Sequence, residues 1–221
     1  ETKLFVQVNH PDNLREACQM AKSVVCRSDA LSELLVSVHL DIYINGTTRG
    51  IRAKDQGKDK TCYAFASATV LHLAMERIHG RLGGYPSFEA LKDEMISEHA
   101  HRKSLPDTGE VLEKICPKYC LHCCKVCIKC AKEAIINKRP VVARFRLTDD
   151  EWDVFENFFE PDKNPLGILT QDELDVRKRA KNPPTPTFGH AVVLTSYNSK
   201  CLTFMNSWGE EWGDNGFFRV Q

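Results

Sequence analysis

Residues 55–66 read Asp55-Gln56-Gly57-Lys58-Asp59-Lys60-Thr61-Cys62-Tyr63-Ala64-Phe65-Ala66, so that a polar turn gives way to an apolar stretch at a cysteine. From Cys62 to Ile78 the chain contains neither glycine nor proline, which predicts a long helix that starts at this cysteine. The positive end of a helix dipole favours a thiolate at that position. We therefore predict that Cys62 is a nucleophile, although a buried structural thiol at a helix start is the simpler alternative.

Two further motifs follow Cys62 at long range. His190 lies in Gly189-His190-Ala191-Val192-Val193, 128 residues after Cys62, and Asn206 lies in Asn206-Ser207-Trp208-Gly209, 144 residues after it. An imidazole that an amide carbonyl holds in one tautomer is a common activator of a thiol. The Gln56 amide N–H, six residues before the cysteine, can donate a hydrogen bond to an oxyanion. The four residues together predict nucleophilic catalysis.

This ordered set resembles the papain-like (cathepsin-type) cysteine peptidases, in which an aromatic residue follows the cysteine and the histidine and asparagine lie about 130–150 residues downstream. The run from Asn206 to Arg219, NSWGEEWGDNGFFR, is similar to the C-terminal region of that family almost position for position. The resemblance covers about residues 48–219. It implies an α+β, papain-like two-lobe fold, in which an active-site cleft separates a helical lobe from an antiparallel sheet lobe.

The resemblance also implies a role for each residue. Cys62 would attack the acyl carbon, His190 would take and return the proton, and Asn206 would orient the imidazole. Gln56 and the backbone N–H of Cys62 would hold the oxyanion, while Trp208 would shield the histidine–asparagine hydrogen bond. The implied activity is endopeptidase hydrolysis of a peptide or protein substrate through a thioester, with no cofactor and no catalytic metal.

Two other functions remain open. Lys58, Asp59 and Lys60 occupy the turn where the family keeps small residues, and a positive φ at Asp59 or Lys60 would strain that turn. This departure favours a catalytically inactive papain-like module used for protein binding. Acyl transfer to an amine is a weaker alternative, because transglutaminases carry aspartate where this chain has Asn206.

The chain is expected to divide into an N-terminal extension, residues 1–47, and a peptidase domain, residues 48–221, within a longer protein. The extension is predicted to contain a helix followed by a strand, from the spacing of apolar residues at 14–25 and their alternation at 36–44. In the domain, the helical lobe is assigned to about residues 61–139 and the sheet lobe to about 140–221.

Local signals mark several elements within the domain. Ser87, the pair Asp107 and Glu110, and the pair Thr148 and Glu151 have the spacing of helix N-terminal caps. Alternating apolar residues predict a strand near 141–147, and the segments 191–197 and 202–206 are predicted to be strands joined by a tight turn. Helices followed by an antiparallel sheet predict the α+β class.

Six of the ten cysteines lie between Cys116 and Cys130 and form three overlapping C-x-x-C units. Two such pairs can bind zinc, and the best quartet would be Cys120, Cys123, Cys127 and Cys130. Free thiols, partial disulfides or an iron–sulfur cluster are the alternatives. We expect no metal here, because structural zinc sites normally have a longer spacer between their pairs.

Composition limits the partners and the location. Thirty basic and thirty acidic residues cancel, so no overall charge directs the chain to nucleic acid. No apolar run approaches the roughly 18 residues of a membrane span, and no membrane association is expected. A cysteine distribution concentrated in one segment favours a cytoplasmic location over a lysosomal or secreted one.

Overall fold

The computed structural model of the chain describes residues 4–9, 52–79, 84–100, 106–139, 141–178 and 186–221. Five α-helices lie in these ranges: α1 Cys62–His79, α2 Phe88–His99, α3 Thr108–Ile115, α4 Ile128–Ile136 and α5 Asp149–Phe158. Short 3-10 helices span Cys116–Tyr119 and Val176–Lys178. No helix among the described residues has the length and apolar composition that crossing a bilayer requires.

Seven strands of the described chain form one sheet. They are β1 Leu4–Asn9, β2 His122–Val126, β3 Val141–Leu147, β4 Ile168–Leu169, β5 Phe188–Tyr197, β6 Leu202–Met205 and β7 Phe217–Val220. Their order is β2-β1-β3-β5-β6-β7-β4, and every neighbouring pair is antiparallel except β4 with β7. The α+β class is confirmed.

Both faces of the central strands are buried, because successive side chains of a strand point to opposite faces. In β5, Ala191 and Val193 belong to one core and Val192 and Leu194 to a second one. The first core holds α1, α2 and α3 through residues such as Leu71, Leu91 and Leu112. The second core holds α4 and α5 through residues such as Ile135, Phe155 and Phe159.

The helix starts agree with the local sequence signals. Ser87 Oγ accepts a hydrogen bond from the N–H of Ala90 at 3.2 Å, and Asp107 accepts from the first backbone N–H groups of α3. Thr148 and Glu151 form the reciprocal capping box at the start of α5. These predictions are confirmed because a cap needs only partners within three residues of it.

Strands β1, β2 and β4 of the sheet were not predicted from the sequence. Strand β1, from the segment assigned to the N-terminal extension, lies between β2 and β3 in the sheet. Strand β2 comes from the range assigned to the helical lobe, and it pairs with β1 at the sheet edge. The predicted helix near 14–25 and strand near 36–44 lie outside the described residues.

Candidate active site

The four predicted site residues lie on three neighbouring parts of the structure. Cys62 is the first residue of α1, His190 lies near the start of β5, and Asn206 follows the end of β6. Gln56 lies in the turn before α1, where its backbone N–H donates to the backbone carbonyl of Ser207 at 2.9 Å. This bond joins the segment that precedes the helix to the segment that follows β6.

His190 and Asn206 form a direct hydrogen bond, with 2.7 Å between Nε2 and Oδ1. Asn206 Oδ1 also accepts from the backbone N–H of Ser207 at 2.9 Å, which identifies this atom as the amide oxygen. Because an oxygen only accepts here, the proton of the neutral imidazole must lie on Nε2. Nδ1 is therefore left without a proton and is able to act as a base.

Aromatic rings enclose the imidazole. The centroid of the His190 ring lies 5.2 Å from that of Trp208, 5.7 Å from that of Trp152 and 5.6 Å from that of Phe145. Burial lowers the pKa of His190 to about 4, and the hydrogen bond that Nε2 donates to Asn206 only partly opposes this effect. The imidazole is therefore neutral near pH 7.

Cys62 is also buried, and it belongs to the core that holds α1, α2 and α3. Burial raises the pKa of the Cys62 thiol, against the lowering effects of the backbone N–H groups of Ala191 and Tyr63 and of the Arg144 charge. No hydrogen bond joins Cys62 and His190 among the contacts of the described residues. A thiolate–imidazolium pair between Cys62 and His190 is thus not favoured at rest, because both groups are removed from water.

Gln56 is held at both ends of its amide. Nε2 donates to the carbonyl of Asp59 at 2.7 Å, and Oε1 accepts from Ser207 Oγ at 2.6 Å. An amide nitrogen carries two hydrogens, so the second N–H remains able to donate to an oxyanion. Gln56 was identified from the sequence as the candidate oxyanion donor. The sequence contained no signal for Ser207 as the partner that orients the Gln56 amide.

The turn before Cys62 does not have the strain considered from the sequence. Gly57, with φ of 63°, takes the left-handed conformation, and neither Asp59 nor Lys60 has a positive φ. The Gln56–Asp59 hydrogen bond closes this turn. The lysine-rich replacement of small residues is therefore compatible with relaxed backbone geometry.

Several neighbours of the site were not identified from the sequence. Arg144 forms an ion pair with Asp107 and lowers the pKa of Cys62 through its charge. Trp152 and Phe145 carry no site motif in the sequence, yet both contact the His190 ring. Alternation along β3 could have placed Phe145 on one face, but the contact itself depends on the pairing of Phe145 with His190 across β3 and β5.

The cysteine-rich segment shows close pairs rather than a metal cluster. Within the described ranges, no three His, Cys, Asp or Glu side chains are grouped as ligands for a metal ion. Cys116 and Cys123 share a hydrogen bond, and Cys127 Sγ lies 3.3 Å from Cys130 Sγ. Of the predicted quartet, the contacts of the described residues therefore bring together only Cys127 and Cys130.

Comparison with known proteins connects this geometry to a family. The model of the papain family cysteine proteases matches residues 129–221. A peptidase C1-like protein of Acanthamoeba polyphaga mimivirus is 32% identical over 91 residues, which are 40% of this chain and 24% of the relative. The viral cathepsin of Autographa californica nuclear polyhedrosis virus is 53% identical over 36 residues, 14% of this chain and 11% of the relative.

The match to solved structures is more distant. The bromelain protease from Ananas comosus aligns with 84% of this chain and 88% of its own, at 16% identity and a TM-score of 0.42. The similarity to this family therefore depends on the sequence matches, and the chain spans a quarter or less of the length of the curated relatives it matches. The part of the chain that carries His190 and Asn206 is thus similar to the papain family cysteine proteases, in agreement with the resemblance found in the sequence.

Proposed function

We propose that this chain is a papain-like cysteine endopeptidase in which Cys62 is the nucleophile and His190 the general base. The observation that carries the proposal is the His190–Asn206 hydrogen bond of 2.7 Å, which keeps the proton on Nε2 and leaves Nδ1 basic. The next residue along the chain, Ala191, offers its backbone N–H to the Cys62 thiol. The start of β5 thus carries the proposed base, His190, and also a backbone N–H that bonds to the proposed nucleophile at the start of α1.

The reaction follows from these positions. His190 Nδ1 takes the Cys62 proton as the sulfur attacks the carbonyl carbon of the substrate, and the Cys62 N–H and Gln56 Nε2 stabilise the oxyanion. The imidazolium then protonates the leaving amine, and the C–N bond breaks to give a thioester. Water, deprotonated by His190, hydrolyses the thioester, and the proton returns to the thiol.

Burial shapes the energetics of the first step. At rest, the Cys62 thiol and the His190 imidazole are both neutral. Charge therefore develops only as the sulfur bonds to the substrate, when the oxyanion donors and the Arg144 charge stabilise the negative charge. Arg144 is held by Asp107, so its charge is already in place.

The test is hydrolysis of fluorogenic peptides by the purified chain. Cys62→Ser and His190→Ala should reduce turnover to background, and Asn206→Ala should reduce it less, because the imidazole stays in place without its orienting partner. Gln56→Ala should lower kcat by about 10²–10³ with little change in KM, since an oxyanion donor binds the transition state more than the substrate. A change in KM alone would refute the role of Gln56.

Cys120→Ser is the matched control, because it removes an exposed thiol that contacts none of the proposed catalytic residues. Its activity should equal that of the unmodified chain. Equal activity of Cys62→Ser and the unmodified chain would exclude Cys62 as the nucleophile.

An inactive protein-binding module is the second candidate. It is favoured by the burial of His190, whose side chain faces the α5 core, and by the raised pKa of Cys62. A peptidic thiol-reactive inhibitor separates the two functions. The peptidase should react at Cys62 far faster than free cysteine does, whereas the inactive module should react no faster.

A further inference from the structure

The cysteine-rich segment contains one pair of thiols that is both close and accessible. Cys127 Sγ and Cys130 Sγ lie 3.3 Å apart, and both side chains are exposed. A disulfide requires about 2.0 Å between the sulfurs, so a small movement of the two side chains is enough to join them. Neither residue has a role in the proposed peptidase site.

Rigid elements hold this pair in position. Cys127 directly follows β2 and is the N-cap of α4, and Cys130 lies in the first turn of that helix. The buried residues Ala131, Ala134 and Ile135 pack α4 against the sheet. The separation of the two sulfurs is therefore set by the strand, the cap and the helix rather than by a loop.

The two thiols differ in their surroundings. The backbone N–H of Cys130 donates to Cys127 Sγ at 3.5 Å, and together with the Cys130 thiol it lowers the pKa of Cys127. The same thiol–thiol hydrogen bond raises the pKa of Cys130. Cys127 is thus the better nucleophile, and Cys130 is the thiol placed to resolve a bond formed on Cys127.

The other described cysteines of the segment are arranged differently. Cys116 is fully buried against its partner Cys123, so an oxidant in solution cannot reach it. Cys120 is exposed, but it adopts a left-handed conformation with φ of 54° at the end of the 3-10 helix. Cys127 and Cys130, at the start of α4, are both accessible to solvent, lie close to each other and differ in nucleophilicity.

We propose that Cys127 and Cys130 form a redox-active dithiol that reacts by exchange with small-molecule or protein disulfides. The Cys127 thiolate attacks one sulfur of the disulfide, forms a mixed disulfide and releases the first thiolate. Cys130 then loses its proton to solvent and attacks Cys127 Sγ, which breaks the mixed disulfide and releases the second thiolate. The dithiol is oxidised to one disulfide, and the external disulfide is reduced to two thiols.

This site is separate from the candidate active site. The buried residues of α4 belong to the core on one face of the sheet, whereas Cys62 belongs to the core on the other face. The proposal therefore does not depend on peptidase activity. The experiment can be carried out on the Cys62→Ser chain as well as on the unmodified chain, which removes the candidate nucleophile from the result.

The test uses oxidised glutathione on the reduced chain, followed by iodoacetamide, trypsin and mass spectrometry. Trypsin cleaves after Lys125, Lys129 and Lys132, so an internal disulfide keeps the peptides 126–129 and 130–132 joined. We expect this linked pair, with the mass of two hydrogens lost and with both cysteines protected from iodoacetamide. Reduction should return two separate alkylated peptides.

Variants separate the roles of the two sulfurs. Cys130→Ser should accumulate the glutathione mixed disulfide on Cys127, whereas Cys127→Ser should form it on Cys130 at least several-fold more slowly. Cys120→Ser, a change at an exposed cysteine of the same segment, should yield as much of the linked peptide as the unmodified chain. All three changes are at exposed side chains, and circular dichroism should confirm that the variants fold.

Three results would overturn the proposal. One is two independent glutathione adducts with no linked peptide, and another is a disulfide from Cys127 to a different cysteine. The third is one equivalent of zinc that copurifies with the chain and blocks oxidation of both thiols until a chelator removes it.

Discussion

At the scale of single residues, burial shifts the pKa values of the two candidate catalytic groups, Cys62 and His190, in opposite directions. It raises the pKa of the Cys62 thiol and lowers that of the His190 imidazole, because in each case the charged form loses its hydration. Asn206 then decides which nitrogen of the neutral ring carries the proton. The resting site is therefore an uncharged acid and an uncharged base.

The lowered pKa of His190 predicts a loss of stability in acid. Between pH 6.5 and pH 4 the unfolded chain binds a proton at this position and the folded chain does not, so the free energy of unfolding decreases as the pH falls. The loss should reach about 3 kcal/mol once the pH falls below both values, at 1.36 kcal/mol for each pKa unit. Urea denaturation at pH 7 and pH 4.5 measures most of this change.

His190→Gln provides the comparison, because glutamine is polar and does not titrate. Carboxylates such as Glu94 and Glu98, whose pKa values are lowered by Lys118, also lose stabilisation in acid, and they do so in both chains. The difference between the chains therefore isolates His190. Parallel pH profiles for the two chains would show that His190 is not held neutral by burial.

At the scale of elements, α5 connects local helix formation to the site. Thr148 Oγ1 accepts from the N–H of Glu151 at 3.3 Å, and Glu151 Oε2 accepts from the N–H of Thr148 at 2.8 Å. The helix that starts there carries Trp152, which contacts the His190 ring, and Phe155, which is buried in the same core. A substitution in the cap should therefore alter the packing of Trp152 against the His190 imidazole.

Thr148→Ala should lower the free energy of unfolding by about 1 kcal/mol, the usual cost of a lost N-terminal cap. It should also reduce peptide hydrolysis several-fold, because Trp152 is less firmly held against His190. Chemical denaturation and steady-state kinetics measure the two effects. Asp153→Ala, an exposed change on the same helix, should alter stability by less than about 0.5 kcal/mol.

At the scale of the whole molecule, the C-terminal turns pack against the segment that precedes α1. Gly209 N–H donates to the carbonyl of Lys54 at 3.1 Å, and Gln56 bonds to Ser207 through both backbone and side chain. Gly216 has a φ of 85° and lies so close to Ala53 that a methyl group on it would overlap the alanine side chain. Residues about 150 positions apart in the sequence thus fix the position of Gln56, six residues before Cys62.

Gly216→Ala should be strongly destabilising, because it combines a positive φ with a methyl group that has no space. Gly57→Ala is the matched control, since its φ is 63° but no atom lies within 4 Å of the added carbon. Gly216→Ala should lower the free energy of unfolding by about 1–3 kcal/mol more than Gly57→Ala, the cost of overpacking. Equal losses in denaturant unfolding would mean that Ala53 moves away without cost.

The sequence alone determined the features that depend on near neighbours or on a family pattern. The caps at Ser87, Asp107 and Thr148 could be predicted because their hydrogen bonds span three residues or fewer. The helix from Cys62 and the strands near 141–147 and 191–197 follow from residue composition and alternation. Cys62, His190, Asn206 and Gln56 were identified as candidates from motif order and from the family resemblance, and their catalytic roles stay predictions.

Only the tertiary structure decided the protonation states of Cys62 and His190 and the pairing of the strands and cysteines. The pKa directions at Cys62 and His190 depend on burial and on Arg144, which the chain brings near by pairing β3 with β5. Strand β1 could not be placed in the sheet from the sequence, because strand pairing is a long-range property that no local pattern encodes. For the same reason, six nearby cysteines allow many pairings, and only the cap position of Cys127 on α4 brings its sulfur to Cys130.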